Sequence, residues 1–162
     1  MNYGHNNPEI KAAIMEYLAD DNIINALDMY TEAKEEFLIT ISEELLMPRG
    51  LDYKVMCCGP TGTNAVEAAL KLARKNTKRT EIIAFSGAFH GMSLGSLAMT
   101  TDRTSREGAG VPLEHVTFVP YDGTNLDSIA YLRWILDDDH SGIEKPAAIV
   151  LETLQAEGGI NP

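Results

Sequence analysis

Four short runs, YKVMCC (53–58), EIIAF (81–85), VTFVP (116–120) and AAIVLE (147–152), are apolar without alternation. A strand that repeats apolar and polar residues buries one face, whereas a continuously apolar strand must be covered on both. Amphipathic helical segments separate these runs: Val66, Ala69, Leu70 and Ala73 share one helical face, and Ile129, Leu132 and Leu136 another. Strands buried on both faces and joined by helices predict an α/β architecture, a mostly parallel sheet flanked by helices. Ahead of them, Pro8 opens a helix whose apolar face is Ile10, Ala13, Ile14, Tyr17 and Leu18. A second helix starts near Thr31, carries Phe37, Leu38, Ile41 and Leu45, and is expected to end by Pro48. With 162 residues and 44% hydrophobic content there is enough apolar material for one packed core.

Charge and cysteine usage narrow the function classes. Acidic residues outnumber basic ones 24 to 13, a net charge of -11 with no basic stripe, which disfavours nucleic acid as a partner. No apolar run is long enough to span a membrane and no leader pattern opens the chain, so a soluble, cytoplasmic protein is expected. The adjacent Cys57 and Cys58 fit neither a disulfide framework nor a zinc site and read as buried apolar filler on a strand. His5, His90, His115 and His140 lack ligand spacing, so no metal site is expected. Asp137, Asp138 and Asp139 read as a solvated helix end, and Trp134 as packed on the sheet.

In a parallel sheet the loops that leave the carboxyl ends of the strands form the ligand edge. Three segments fall there. Gly59-Pro60-Thr61-Gly62-Thr63-Asn64 lies between an apolar run and a helix, where backbone N–H groups and hydroxyls at a helix start suit a phosphate; a tight turn with an N-cap explains the same residues. It has neither Walker nor dinucleotide-fingerprint spacing. Ser86-Gly87-Ala88-Phe89-His90-Gly91 follows EIIAF and offers an aromatic plane to a flat ring, although Phe89 as core and His90 as a hydrogen-bonded loop residue fit as well. Glu152 to Gly159 presents two carboxylates and an amide for a cation, a substrate amine or an arginine, or else a solvated acidic turn. The 87–112 stretch reads as a long functional loop.

These segments together resemble the class-III pyridoxal-phosphate aminotransferases. GPTGTNAVEAALKLAR is similar to that family's Ser-Gly-Ser-Glu-Ala-Asn-Glu-Ala loop and helix, AFHG to its aromatic-His-Gly segment, ETLQAEGG to its Glu-Pro-x-Gln-x-Glu-Gly-Gly segment, and YGHNNPEI to its Gly-His-x-x-Pro element. The resemblance covers essentially the whole chain, in the family's order. Val66 stands where the family usually has Asn, and Thr153 where it usually has Pro.

The resemblance implies a fold-type I transferase, with 1–29 part of the small N-terminal region and connector and 30–162 the first half of the large cofactor domain. It implies pyridoxal 5'-phosphate as cofactor, with Thr61, Gly62 and Thr63 on its phosphate, Phe89 stacked on its ring and His90 beside it. Glu157 matches the glutamate that pairs with a family arginine and swings aside for a dicarboxylate. The wording GPTGTNAVEAALKLARK, AFHGMSLGSLAMT, REGAGVPL and PYDG is most similar to the diaminobutyrate–2-oxoglutarate branch of ectoine biosynthesis, which converts L-glutamate and L-aspartate 4-semialdehyde into 2-oxoglutarate and L-2,4-diaminobutyrate. Small-molecule amino donors and aldehyde or oxo-acid acceptors are the implied partners, and a homo-oligomer the implied state of the complete protein. The 4-aminobutyrate and ornithine branches, or a non-catalytic phosphate-cofactor-binding protein, are the alternatives. None of Lys11, Lys34, Lys54, Lys71, Lys75, Lys78 and Lys145 matches the family's cofactor lysine. The chain is therefore expected to be a fragment without a catalytic residue of its own, inactive alone and prone to aggregation.

Overall fold

A computed structural model describes residues 2–123 and 125–162. The chain divides by packing into two units, one ending at Met56 and one from Cys57 to Pro162.

In the first unit, α1 (Pro8–Ala19) begins with proline at its first position, where a missing N–H costs nothing. The Asn7 side chain accepts from Glu9 N and Ile10 N at 3.0 and 3.1 Å. The predicted apolar face forms but is not covered: Ile10, Ile14 and Leu18 are 46, 55 and 48% exposed. Thr31 caps α2 (Glu32–Thr40), accepting from Lys34 N at 3.2 Å. That helix continues as a π segment (Ile41–Leu46) and a 3-10 turn (Met47–Arg49), and the left-handed Gly50 stops it. Pro48 thus sits inside the last turn rather than ending it, because the short 3-10 repeat asks no N–H of that position.

The second unit holds the sheet. α3 (Gly62–Thr77) leads to β1 (Ile82–Phe85), then α4 (Leu94–Met99), α5 (Arg103–Arg106), β2 (Val116–Val119), α6 (Ser128–Asp137) and β3 (Ala148–Ile149). The strands run parallel in the order β2-β1-β3, with Ile82 opposite both Val116 and Ala148. All four residues of the central β1 are buried, as its unbroken apolar run requires. Ile82 and Ala84 join Leu70 of α3 and Met99 of α4 on one face. On the other, Ile83 and Phe85 pack with Val119 and Ile135 of α6. Three layers result, with β1 in the middle of the middle one.

Several sequence expectations need correction. YKVMCC does not form a strand, and Cys57 is exposed and Cys58 half-buried, so neither is core filler. A strand exists only through ladder bonds to a neighbour, and apolar composition alone does not provide one. Of AAIVLE only Ala148 and Ile149 are strand, paired with Ile82 and Ile83 of β1. Trp134 is 51% exposed, donating from Nε1 to Asp138 Oδ2 at 3.0 Å and leaning on Tyr131 rather than on the sheet. Ala69 is exposed, and the inward face of α3 is Val66, Leu70 and Ala73. The stretch 87–112 is not one loop, because α4 and α5 lie inside it and four consecutive α4 residues, Ser96 to Met99, are buried.

Candidate functional site

Parallel strands deliver their following segments to one edge; there the segments after β1 and β3 are hydrogen-bonded to each other, and the start of α3 is seated against the first of them. After β1 the chain turns at Gly87, whose φ of +82° suits glycine, and runs through Ala88, Phe89 and His90 to Gly91. This segment is held along its length. Ala88 O accepts from Thr101 N at 2.9 Å, and Phe89 N donates to Glu152 Oε1 at 2.9 Å. His90 N donates to Thr100 Oγ1 at 3.0 Å, and the same hydroxyl donates to Gly91 O at 2.9 Å. Phe89 and His90 are half-buried.

The segment after β3 is locked on from the other side. Tyr121, following β2 and edge-on to Phe85, donates its hydroxyl to Glu152 O at 3.0 Å. Gln155 is buried and donates from Nε2 to Ser86 O at 2.8 Å. Its backbone pairs with Asn161, closing a turn in which Glu157 stands exposed. The fit is close: a Cβ at Gly158 would come within 2.5 Å of Gly87 O and one at Gly87 within 2.8 Å of Gln155 Oε1.

The helix start supplies the third segment. Thr61 is the N-cap of α3, its N–H and hydroxyl both donating to Asn64 Oδ1, at 3.3 and 2.5 Å. Gly62 and Thr63 occupy the first turn, where N–H groups have no intrahelical acceptor and the helix dipole is positive. Thr63 turns its hydroxyl inward, 2.5 Å from Ser93 Oγ and 2.6 Å from Ser96 Oγ. Gly91 closes the gap between the two segments, since a Cβ there would lie 2.5 Å from Thr63 Oγ1. The start of α3 is therefore fixed directly against the Phe89–Gly91 segment.

Burial holds the His90 ring below the ordinary histidine range, an effect the nearby Glu152 carboxylate partly offsets. Its Nε2 is buried without a partner among the described residues. A cavity of about 550 Å3 opens at the same edge, between Ser86, Tyr121, Gln155 and Asn161, and none of the predicted site residues lines it.

Of the predicted residues, Thr61, Gly62 and Thr63 thus lie at one helix start, Phe89 and His90 lie on the segment packed against it, and Glu157 is on the turn that Glu152 and Gln155 anchor. Sequence reasoning did not single out Glu67, Ser93, Ser96, Thr100, Arg106 or Tyr121. One signal was available for the first: Thr63 and Glu67 are four residues apart and extend the Leu70 face toward the helix start. The lysines of this unit keep away from the edge. Lys71, Lys75 and Lys78 sit toward or at the far end of α3, and Lys145 precedes β3. Among the described residues no group of His, Cys, Asp and Glu could hold a metal ion, and no helix is long and apolar enough to cross a membrane.

The residues present fit a phosphorylated aromatic cofactor: free first-turn N–H groups for an anion, a half-buried phenylalanine for a ring, and hydrogen bonds joining the segments that carry them. Comparison with known proteins agrees. The class-III aminotransferase profile matches residues 1–162. The chain is 52% identical over 164 residues to the diaminobutyrate–2-oxoglutarate transaminase of Nocardia farcinica and 55% identical over 163 residues to that of Sporosarcina pasteurii. In both cases 99% of this chain is covered but only 38% of the relative, so the chain spans under two fifths of the length of these curated relatives. Among solved structures, an S-selective transaminase from Arthrobacter sp. superposes with a TM-score of 0.76 at 26% identity, covering 98% of this chain and 38% of that one. The ornithine aminotransferase of Toxoplasma gondii shares the fold at 22% identity with a TM-score of 0.76. With the family profile matching residues 1–162 and its three characteristic segments packed together, the chain belongs to the class-III aminotransferases.

Proposed function

We propose that this chain is the cofactor-holding part of a pyridoxal-phosphate-dependent diaminobutyrate–2-oxoglutarate transaminase. The reaction moves the amino group of L-glutamate to L-aspartate 4-semialdehyde, giving 2-oxoglutarate and L-2,4-diaminobutyrate for ectoine biosynthesis. The observation that carries the reading is the identity above 50% along 99% of the chain to relatives of that name. Residues 1–29 then belong to the small region and connector and 30–162 to the large domain. Placement in the cytoplasm and assembly as a homo-oligomer belong to the same reading.

Bound pyridoxal phosphate supplies an electron sink for the carbanionic character that develops at the substrate carbon, and carries the amino group between half-reactions. The protein's part is to bind and orient. Gly62 N and Thr63 N hold the phosphate at the positive end of α3, and Thr61, whose N–H and hydroxyl both donate to Asn64 Oδ1, caps the turn that presents them. Thr63 contributes its main-chain N–H and not its hydroxyl, whose contacts are to Ser93 and Ser96. Phe89 presents its ring to one cofactor face, and the Glu152 bond to its N–H fixes where that ring stands. His90, neutral near pH 7 because burial disfavours its charged form, adds no positive charge beside the cofactor. Glu157 answers an arginine when the substrate has no distal carboxylate and leaves it when a dicarboxylate arrives, so that one site accepts both substrates in turn. The amine that holds the cofactor covalently is none of the seven lysines here.

The test is turnover by the full-length protein loaded with cofactor. Formation of 2-oxoglutarate from glutamate should require aspartate 4-semialdehyde and, in reverse, 2,4-diaminobutyrate should outcompete 4-aminobutyrate and ornithine as donor. Equal or better use of either of those would overturn the substrate assignment.

A further inference from the structure

Glu67 lies on α3 one turn beyond Thr63 and is half-buried. Its Oε1 accepts from Ser93 Oγ at 2.9 Å and from Ser96 N at 2.9 Å. Ser93 is the N-cap of α4 and Ser96 N is in that helix's first turn, so a side chain from α3 satisfies an orphan donor of α4. One assignment of hydroxyl protons meets the short contacts in the cluster: Ser96 donates to Thr63, Thr63 to Ser93, and Ser93 to Glu67. If Ser96 donates instead to Ser93 O at 2.8 Å, Ser93 still ends on Glu67. The carboxylate is the terminal acceptor either way and sets the direction of the chain.

The opposite end of α4 is fixed as firmly. Arg106 Nη1 donates to Leu97 O, Ala98 O and Thr100 O at 3.1, 3.1 and 2.8 Å. An acid at the amino end and a guanidinium at the carboxyl end both suit the helix dipole. Between them, the fully buried Ser96 and Thr100 reach outward to the two site segments, Ser96 to Thr63 and Thr100 to His90 N and Gly91 O. The six-residue α4 is a strut joining the phosphate-binding helix start to the ring-facing segment.

We propose that Glu67 is a positioning residue of the cofactor site: through Ser93, Ser96 and Thr63 it fixes the helix start that binds the phosphate against the segment that faces the ring. The inference rests on the pyridoxal-phosphate reading and deepens it, since Glu67 itself touches no cofactor. Without the carboxylate the Thr63 hydroxyl chain loses its end, Ser96 N loses its acceptor, and the N–H groups of Gly62 and Thr63 lose their fixed distance from Phe89. Glutamine keeps an oxygen for both donors; alanine keeps none.

The experiment is a titration of the full-length apoprotein with pyridoxal phosphate, reading the dissociation constant and the induced circular dichroism per bound cofactor. Wild type is measured first, then Glu67→Ala, Glu67→Gln and Ser93→Ala, each with its melting temperature. Glu67→Ala should bind roughly tenfold more weakly, the loss of about one charge-assisted hydrogen bond, with an altered dichroic band. Glu67→Gln should stay within about threefold of wild type, because the same two donors still find an acceptor. Unchanged affinity and dichroism in Glu67→Ala, even with a lower melting temperature, would make Glu67 a stabiliser of the fold alone and overturn the proposal. An equal loss in Glu67→Gln and Glu67→Ala would overturn it too. Should Glu67→Ala fail to fold, Ser93→Ala decides, since wild-type affinity and dichroism there refute the hydroxyl chain. Failure of wild type to bind the cofactor would overturn the pyridoxal-phosphate reading itself, before any variant is compared.

Discussion

Gly91→Ala is the substitution with the largest cost that the geometry allows to be worked out. Gly91 has φ of +133°, a backbone conformation that L residues rarely adopt, and holding alanine there costs about 1–3 kcal/mol. The added Cβ would stand 2.5 Å from Thr63 Oγ1, 2.7 Å from Ser96 Oγ and 2.8 Å from Thr63 Cβ. None of these can yield cheaply, because Thr63 is bonded to both serines and Ser96 is fully buried, so overpacking adds about 1–3 kcal/mol. The total is about 2–6 kcal/mol, a large share of an ordinary domain's stability. Gly159→Ala is the matched control: its φ is +120° and a Cβ would meet only the Asn161 side chain at 3.7 Å, an ordinary contact, leaving the backbone cost of about 1–3 kcal/mol. Urea unfolding of wild type and both variants, compared at equal slope, separates the two contributions. Gly91→Ala should lose at least about 1 kcal/mol more than Gly159→Ala, the lower end of the overpacking cost. Equal midpoints would refute the close seating of the Phe89–Gly91 segment on α3, and with it the rigid geometry of the proposed site.

Other consequences are equally open to measurement. Burial lowers the His90 pKa from 6.5, so the folded state prefers neutral imidazole; the stabilisation is complete above pH 6.5 and is lost as pH falls through the folded value. A proton NMR titration should place the His90 midpoint below 6.5, and a midpoint at or above it would show that Glu152 outweighs burial. Gln155→Leu removes the donor to Ser86 O and should cost about 1–3 kcal/mol, with faster hydrogen exchange at Gln155 N and Asn161 N, the two amides that close the turn. Arg106→Met keeps the aliphatic stem but strips three bonds from the end of α4 and should destabilise by about 1.5–3 kcal/mol in the same urea assay. Borohydride reduction of this chain with pyridoxal phosphate should label its seven lysines diffusely, whereas stoichiometric labelling at one of them in peptide mass spectra would show a cofactor lysine where none is expected.

The parts of the fold that were legible are those where local composition is itself the cause. EIIAF reads as a buried strand because a residue run that is apolar on both faces has to be covered on both, and β1 is. Gly59 to Asn64 reads as a turn with an N-cap because a cap and the groups it satisfies lie within one turn, and the structure places that cap at Thr61 with Asn64 as its partner. YKVMCC has the same apolar character as EIIAF but stays outside the sheet, with Met56 67% exposed, since a strand is defined by a neighbour that composition does not reveal. Trp134 was misplaced for a related reason: α6 turns Ile135 to the sheet, and the adjacent position on a 3.6-residue period points elsewhere.

The site divides along the same line. Phe89, Glu157 and Thr61 could be proposed from short segments, but the bonds that assemble them span long stretches of chain: 63 residues from Phe89 to Glu152, 69 from Gln155 to Ser86 and 29 from Ser96 to Glu67. Parallel topology supplies what no window of sequence can, because each strand must release its chain at the same edge and segments far apart in sequence arrive as neighbours. Small polar residues then become the hardest to read. Gly, Ser and Thr between 91 and 101 have loop composition, yet Ser96 within α4 and Thr100 at its C-cap are fully buried, where every hydroxyl bond replaces one that water would have made. Their polarity is what lets one six-residue helix grip two site segments at once, and an apolar helix of the same length would pack against β1 just as well without fixing the phosphate-binding turn to the ring-facing one.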